Sequence, residues 1–232
     1  MNELFSAGLT QLCRNDSIVN DCITPRCEEI IVLLAHYIAE IEQVNPVLKL
    51  VGTNDRRELI VRHILDSLAP LGIICGTCDT RHIADIGSGA GLPGIPLAIA
   101  LPDSRITLIE RMGRRAGFLR HIVKALDLGN VYIEEAEMEK IPRGRFSTVT
   151  FRAFRPLEPK IFKKLSRLCG DGGTLAAYKG RKCRAESEMA ELEKSLPHLA
   201  GCWELLPCPV PMLDEERHLL VVKPPYPLPP AP

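Results

Sequence analysis

The sequence lacks the long hydrophobic run that a membrane-spanning helix requires. Such a helix needs about 20 consecutive apolar residues, and the longest uninterrupted apolar stretch here runs from Ile30 to Ala35. The N-terminus, MNELFSAGLT, also lacks the basic segment followed by an apolar block that marks a secretory signal. We therefore expect a cytoplasmic protein without a membrane span.

The nine cysteines indicate neither a disulfide framework nor a metal site. Thiols stay reduced in the cytoplasm, and an odd number leaves one of them unpaired. Cys75 and Cys78 form a C-x-x-C pair, but this pair precedes the first predicted strand, whereas a thioredoxin-type motif follows a strand. A zinc site would need two more ligands. The sequence predicts free thiols and no bound metal.

Aromatic residues are scarce, at 5%, and the chain has no net charge. Few aromatics argue against a module that binds single strands by base stacking alone. The charges are unevenly distributed, because residues 111–184 hold 18 Lys and Arg against 7 Asp and Glu, while the rest holds 11 against 22. This pattern is typical of a surface for a polyanion, and equally of charges that scatter over several faces.

Hydrophobic periodicity divides the chain into two parts and a tail. Apolar residues recur at helical spacing over 26–44 and 55–71, with Pro46 expected to end the first of these helices. From residue 72 onwards strands alternate with helices, among them helices at 157–169 and 186–196. The strands are predicted at 82–86, 105–110, 131–134, 146–151, 174–179, 202–206 and 218–222.

Alternation of this kind predicts an α/β fold, Rossmann-like, with a mostly parallel sheet and helices on both faces. We therefore expect a helical N-terminal extension at 1–71 that packs on the core. The α/β domain follows at 72–223. A proline-rich tail at 224–232, with six prolines in nine residues, is expected to be extended or disordered.

A glycine-rich turn, DIGSGAG, follows the first predicted strand and opens a helix. Its glycines, Gly87, Gly89 and Gly91, allow a sharp turn that exposes backbone amides to a ligand. A dinucleotide and S-adenosylmethionine both use such turns, and Gly89, Gly91 and Gly94 match the dinucleotide spacing. However, Asp85 would repel phosphates and would accept hydrogen bonds from the ammonium group of S-adenosylmethionine. The turn from Asp85 therefore favours S-adenosylmethionine.

Glu110 ends the second predicted strand, 19 residues after Gly91. A carboxylate at this position can accept hydrogen bonds from both ribose hydroxyls of a bound nucleoside. The alternative is an exposed acid at the end of a strand.

The segment DIGSGAGLPGIPLAIA (85–100) resembles the signature of the bacterial small-subunit ribosomal RNA guanine-N7 methyltransferases, first named glucose-inhibited division protein B. Further segments resemble the family in the same order: VRHILDSL (61–68), FRAF (151–154), YKG (178–180) and ERHLLVVK (216–223). The resemblance covers roughly residues 45–223. It implies a class I S-adenosylmethionine-dependent methyltransferase with a helical N-terminal extension, which methylates N7 of a guanine in 16S ribosomal RNA.

The resemblance also implies site residues. By position, the cofactor contacts are Gly87, Leu92, Met138, Glu139 and Arg152, with Met138 and Glu139 beside the adenine and Glu110 at the ribose. Arg152 is also expected to position the substrate or the methyl site. The chain departs from the family pattern at Lys49, Glu137 and Phe151, and it has Glu110 where Asp is usual.

The substrate needs little catalytic machinery. Guanine N7 carries an in-plane lone pair, so we expect alignment of the reacting atoms and no general base. Basic residues are the candidate RNA contacts, with solvated surface charge as the alternative: Arg114, Arg115, Arg155, Lys179, Arg181, Lys182, Arg217 and His218. The basic helix face of Lys160, Lys163, Lys164 and Arg167 is expected to add to this surface.

The expected partner is small-subunit ribosomal RNA, or the small subunit itself, bound by a monomer. Two other hypotheses remain: a catalytically silent ribosome-assembly factor that binds RNA with the same fold, and an NAD-dependent oxidoreductase.

Overall fold

The computed structural model of the protein describes residues 2–153 and 156–224. Phe154, Arg155 and residues 225–232 lie outside the described residues. The predicted RNA contact of Arg155 and nearly all of the predicted tail at 224–232 therefore lie outside the described residues.

The N-terminal region is helical. It comprises α1 (Asn2–Asn15), α2 (Ser17–Ile23), α3 (Cys27–Leu48), α4 (Arg56–Glu58), a π-helical segment (Leu59–Leu65), α5 (Asp66–Leu68) and α6 (Leu71–Thr77). Aspartates begin two of these helices: Asp16 accepts hydrogen bonds from the amides of Ile18 and Val19, and Asp55 from that of Glu58. The helical region thus continues beyond the predicted limit at residue 71.

Helix α3 does not end at Pro46, so that prediction is wrong. Pro46 lies inside the last turn, and the helix continues to Leu48. Buried Asn45 stabilises the chain beyond it, because its side-chain oxygen accepts from the Val51 amide and its side-chain nitrogen donates to the Thr53 carbonyl. The helix ends at Lys49, which has a left-handed backbone with φ 47°.

The rest of the described chain contains one seven-stranded sheet, in the order β3-β2-β1-β4-β5-β7-β6, and the helices that cover it. Strands β1 to β5 are parallel, and β7 and β6 are antiparallel additions at one edge. The strands are β1 (His82–Ile86), β2 (Arg105–Ile109), β3 (Val131–Glu134), β4 (Phe146–Phe151), β5 (Cys169–Lys179), β6 (Trp203–Pro207) and β7 (His218–Val222).

The strand order reverses between β1 and β4, which places a crevice at the carboxyl ends of these strands. Ligands of open parallel sheets bind at such a switch point. The helices that cover the sheet are α7 (Gly94–Ala100), α8 (Gly113–Ala125), α9 (Pro159–Ser166) and α10 (Lys182–Ser195). The predicted fold class is confirmed.

Helix α9 is shorter than the predicted helix at 157–169. The carbonyl of Leu168 accepts from the amides of Arg145 and Phe146, and Cys169 pairs with Phe146 at the start of β4. The residues after α9 therefore join the sheet, and β5 begins at Cys169 rather than at Thr174.

Two buried apolar clusters lie on opposite faces of the sheet, as the alternation along β1 shows. Ile83 belongs to one cluster, and Ala84 and Ile86 belong to the other. The first cluster also contains Phe5 and Leu34 from the N-terminal helices, both fully buried. Each such side chain contributes about 1.5–3 kcal/mol, so the N-terminal region and the sheet share one core.

Two stretches of the N-terminal region, Ser17–Leu48 and Arg56–Thr77, are long and apolar enough to cross a bilayer by length and composition alone. Buried core helices meet the same criteria. Both stretches place side chains in the core, among them the fully buried Leu34 and Ile64. This packing accounts for their composition, and the expected absence of a membrane span stays a prediction.

Candidate active site

The glycine turn wraps over the carboxyl ends of β1 and β2. Gly87, Gly89 and Gly91 have φ values of 71°, 57° and 97°, a left-handed region that favours glycine. The Gly87 amide donates to the carbonyl of Ile109 over 2.8 Å, which ties the turn to β2. A side chain at Gly91 would also meet Ile95 Cγ1 at 2.6 Å, so Gly91 is required for packing as well.

Asp85 lies under this turn and is fully buried. Its Oδ2 accepts a hydrogen bond of 3.0 Å from the Gly94 amide, at the start of α7. Within the described residues, its Oδ1 is buried and has no hydrogen-bond donor. Burial raises the pKa of Asp85 to about 7, against the opposing effect of the Gly94 amide. Asp85 lines neither of the two cavities described below, and its Oδ1 is a buried acceptor for which the described residues supply no donor.

Glu110 follows β2 and is also buried. Its two carboxylate oxygens accept from the amides of Gly89, at 3.0 Å, and Met112, at 2.9 Å. These bonds fix its orientation and leave further lone pairs for ribose hydroxyls, because a carboxylate offers about four acceptor positions.

A cavity of about 410 Å³ opens beside Glu110. Its size falls in the usual range for small-molecule sites. Both apolar side chains and carboxylates line it, as suits an adenosine. The apolar residues include Ile86, Ile109 and Met138, and the carboxylates are those of Glu110, Glu137 and Glu139. Leu92 lies in the core below the turn, almost fully buried.

Met138 and Glu139 belong to a short 3-10 turn that lines this cavity. Arg167 stabilises the turn, because its Nη2 donates to the carbonyls of Met138 and Glu139, each at 2.7 Å, and to that of Ile141 at 2.9 Å. Lys164 pairs with the Glu139 carboxylate at 2.7 Å. Two cations expected on an RNA surface thus bind the turn of the cofactor cavity.

Arg152 follows β4, and its guanidinium contacts the N-terminal region. Nη1 lies 2.8 Å from Asp66 Oδ2 and 3.2 Å from the Arg62 carbonyl, and Nη2 lies 3.1 Å from His63 Nδ1. Asp66 Oδ1 also accepts from Arg217 Nε at 3.0 Å. One buried carboxylate therefore holds two arginines, and Arg152 lines neither of the two cavities described here.

His63 is neutral in this arrangement. Burial, followed by the charges of Arg152 and Arg62, lowers its pKa to about 4. Since Nδ1 faces a guanidinium donor, it acts as the acceptor, and the ring proton resides on Nε2.

A second cavity, of about 660 Å³, lies at the carboxyl ends of β4 and β5. Ala153 lines both cavities, so they meet just after β4. Ala153 has a φ of 50°, which is unusual for a residue other than glycine. The other lining residues are Phe151, Pro156, Tyr178 to Arg181, Arg184, Ala185, Glu188 and Asp214 to Arg217.

The structure divides the predicted RNA contacts into two groups. Arg114, Arg181 and Lys182 have exposed side chains, with Lys182 also 3.7 Å from the Glu186 carboxylate, and Arg115 lines the cofactor cavity. The other three make contacts within the protein: Lys179 pairs with Glu188 at 2.8 Å, Arg217 with Asp66, and buried His218 lies 2.8 Å from the Gly180 carbonyl.

Arg184, which was expected from the sequence to belong to a basic surface together with Arg181 and Lys182, lines the second cavity. One residue at the site was not singled out from the sequence. Tyr37, on the buried face of α3, donates its hydroxyl hydrogen to the Ala90 carbonyl in the glycine turn over 2.7 Å. A tyrosine on an otherwise apolar helix face was the available signal, because a buried hydroxyl needs a partner.

Among the described residues, no group of three or more His, Cys, Asp or Glu side chains is arranged to hold a metal ion. The absence of a metal therefore stays a prediction.

Comparisons with known proteins agree with this geometry. Residues 30–201 match the family model GidB, described as rRNA small subunit methyltransferase G. A Ribosomal RNA small subunit methyltransferase G of Treponema pallidum is 38% identical over 203 residues, covering 85% of this chain and 87% of that protein. The protein of the same name in Treponema denticola is 33% identical over 253 residues, covering 97% and 95%.

Solved structures share the fold. A SAM dependent methyltransferase from Aquifex aeolicus superposes with a TM-score of 0.55 at 18% identity, covering 75% of this chain and 97% of that one. A predicted O-methyltransferase from Agrobacterium tumefaciens gives 0.51 at 24% identity, covering 68% and 78%. These likenesses concern the fold alone.

Proposed function

The chain belongs to the rRNA small subunit methyltransferase G family, and we propose that it transfers a methyl group from S-adenosylmethionine to N7 of a guanine in 16S ribosomal RNA. The observation that carries this proposal is the pair of cavities that meet at Ala153. One has the turn, the acid and the apolar walls of a nucleoside site. The other has room for an acceptor base.

The residues around the first cavity fit the cofactor. Asp85 Oδ1, which has no donor within the described chain, would accept from the cofactor's ammonium group. Glu110 would accept from the ribose hydroxyls, and Met138 and Glu139 would flank the adenine. Gly87, Gly89 and Gly91 would keep the backbone close to the ligand, with Leu92 packed below the turn.

When bound, S-adenosylmethionine supplies an electrophilic methyl carbon on a sulfonium. Because guanine N7 carries its own lone pair, the chain would not need to remove a proton: the bond from N7 to the methyl carbon would form as the carbon–sulfur bond breaks, and the positive charge would pass from sulfur to the methylated base. The chain's contribution is to align N7 with the methyl carbon and to exclude water. We propose that Arg152, held by Asp66 and His63, fixes the segment with Ala153 where the two cavities meet.

For the RNA, we propose that Arg114, Arg115, Arg181 and Lys182 contact phosphates. Lys179, Arg217 and His218 shape the second cavity through their contacts within the protein. We further propose that the protein acts as a monomer in the cytoplasm.

Methyl transfer to small ribosomal subunits from a strain that lacks this gene tests the function. Labelled S-adenosylmethionine is the donor, and borohydride and aniline treatment cleaves the RNA at N7-methylguanine. We expect incorporation of label and one cleavage site in 16S RNA. Binding of subunits without transfer would favour the silent assembly factor.

The oxidoreductase hypothesis predicts a different ligand. We expect S-adenosylhomocysteine to raise the melting temperature of the protein and NAD to leave it unchanged. Stabilisation by NAD alone would overturn the methyltransferase assignment.

A further inference from the structure

The cavity between β4, β5 and α10 carries an inference that rests on the proposed function and extends it. This cavity holds about 660 Å³ and is separate from the cofactor cavity except where both touch Ala153. A base bound in it would therefore border the cofactor cavity at Ala153 without displacing the cofactor.

The accessibility of guanine N7 determines whether the base can react while it is stacked in a helix. In an A-form helix, N7 lies in a deep and narrow major groove that protein side chains do not reach. Glu110, in the wall of the cofactor cavity, is 4% exposed, so a nucleoside that contacts its carboxylate lies below the protein surface. A stacked and paired guanine cannot reach such a site, and enzymes that act on buried bases take the nucleotide out of the stack.

The walls of the second cavity suit a single nucleotide. Tyr178 and Pro156 provide apolar surface for a base face. The carboxylates of Asp214 and Glu216 supply acceptors in the cavity wall, and a guanine has donor as well as acceptor groups.

The rim of the cavity carries two arginines that the protein itself does not neutralise. Arg181 precedes α10 and Arg184 lies in its first turn, and both are exposed. Within the part of the chain that the structure describes, neither guanidinium has an ion-pair or hydrogen-bond partner. By contrast, Lys179 and Arg217 are paired with carboxylates. Arg181 and Arg184 are therefore available to a phosphate.

We propose that this cavity binds the acceptor guanosine as a nucleotide unstacked from the RNA, with its flanking phosphate on Arg181 and Arg184.

A steric variant tests the cavity directly. A Cβ at Gly180, which lines the cavity, would meet nothing within 4 Å. Gly180→Leu should therefore fold and partly fill the space for the base. We expect the KM for subunits to rise at least about tenfold, with unchanged affinity for S-adenosylhomocysteine. Gly117→Leu, at an exposed site of α8 that is equally open, is the matched control and should leave both constants unchanged.

A charge variant tests the phosphate contact. Arg181→Ala/Arg184→Ala should weaken RNA binding and reduce the slope of log affinity against log salt by about 1.4, or about 0.7 for each lost phosphate contact. Arg14→Ala/Arg57→Ala removes two exposed arginines from the N-terminal region and should leave the slope unchanged.

The outcomes separate this inference from the proposed function. If the wild-type protein transfers no methyl group, the function fails. If the wild-type protein does transfer a methyl group, but Gly180→Leu keeps the wild-type KM and Arg181→Ala/Arg184→Ala keeps the wild-type salt slope, then the cavity does not bind an unstacked nucleotide. Loss of S-adenosylhomocysteine binding in Gly180→Leu would also overturn the inference, because the cavities would then not be separate. Gly87→Val is the positive control for the binding measurement: a valine is strained at a φ of 71°, so this variant should lose S-adenosylhomocysteine binding.

Discussion

Among single residues, Asp85 shows how burial can prepare a carboxylate for a cationic ligand. The residue is fully buried, and its Oδ1 finds no donor among the described residues. Burial raises its pKa to about 7, so ionisation of Asp85 costs more in the folded than in the unfolded protein. An ammonium group would remove this cost by pairing with the charged form. The affinity for such a ligand should therefore depend on pH.

We predict that the affinity for S-adenosylhomocysteine increases as the pH rises through about 7. Asp85→Asn should weaken binding by at least about tenfold, the effect of one charge-assisted hydrogen bond, and should abolish this pH dependence. Calorimetric titrations at pH 5.5 and 7.5 measure both effects. The exposed Asp103→Asn is the control. A wild-type affinity that does not change with pH would contradict a direct pairing.

The same shift has a consequence for the ligand-free protein. A raised carboxyl pKa makes the folded state bind a proton more tightly than the unfolded state. The contribution of Asp85 to the free energy of unfolding is therefore fully present below about pH 3.8, and it is lost as the pH rises through about 7.

His63 shifts in the opposite direction, with its pKa lowered to about 4 by burial and by two arginines. Its contribution to stability is present above pH 6.5 and is lost as the pH falls through about 4. Between pH 7 and pH 5 we predict that wild type loses about 1–2 kcal/mol more of unfolding free energy than His63→Gln, after allowance for partial exposure. Urea unfolding at the two pH values measures this.

At the scale of elements, the π-helical segment Leu59–Leu65 connects the N-terminal region to the site. Such segments often occur at functional sites. It presents the Arg62 carbonyl and the His63 ring to Arg152, and the first residue of α5, Asp66, completes the set. Asp66 also pairs with Arg217. The Asp66 carboxylate therefore holds both the segment after β4, through Arg152, and the segment before β7, through Arg217.

We predict that Asp66→Asn destabilises the protein by about 3 kcal/mol, because it leaves two partly buried guanidiniums without their counter-charge. It should also lower kcat more than it raises the KM for subunits, since Arg152 would no longer fix the segment at Ala153. Glu191→Gln is the control, because Glu191 pairs with Lys194 on the exposed surface and lines neither cavity. Equal effects of the two variants on kcat would contradict a positioning role for Asp66.

Elements defined by short-range pattern were predictable from the sequence. The strands at 82–86, 131–134, 146–151 and 218–222 have the predicted bounds, because each is a short segment with β-branched or aromatic residues, flanked by polar or turn residues. Features set by distant partners were not predictable. Helix α3 continues past Pro46, where the buried Asn45 side chain bonds to the chain beyond the helix. Strand β5 begins at Cys169, where it pairs with β4.

The same limit applies to the site. The glycine turn and Glu110 are contiguous signals, and the structure places both at one cavity. Arg167 shows what charge counting misses. Its place in the basic block predicted a contact with RNA. Its guanidinium instead donates to the carbonyls of Met138, Glu139 and Ile141, and these residues are too far away along the sequence for a spacing pattern to show the contact.

Across the whole molecule, the N-terminal region shares a core with the sheet and makes two tyrosine hydrogen bonds that connect it to the α/β domain. Tyr37 on α3 donates to the Ala90 carbonyl in the glycine turn, at 2.7 Å. Tyr178 at the end of β5 donates to the Ser67 carbonyl in α5, also at 2.7 Å. The first bond reaches the cofactor turn, and the second does not.

This pair gives a matched test of whether the N-terminal region supports cofactor binding. Each Tyr→Phe change removes one hydroxyl and leaves a carbonyl unpaired, so both should destabilise the protein by about 1–2 kcal/mol. We predict that only Tyr37→Phe also weakens S-adenosylhomocysteine binding, by about threefold to tenfold, because Ala90 lies between two of the turn glycines and its backbone is then free to shift. Calorimetry combined with urea unfolding separates the two effects. If both variants lose stability equally and bind the ligand equally, the N-terminal region stabilises the fold without shaping the turn. If Tyr37→Phe alone loses affinity, the helical extension is part of the cofactor site.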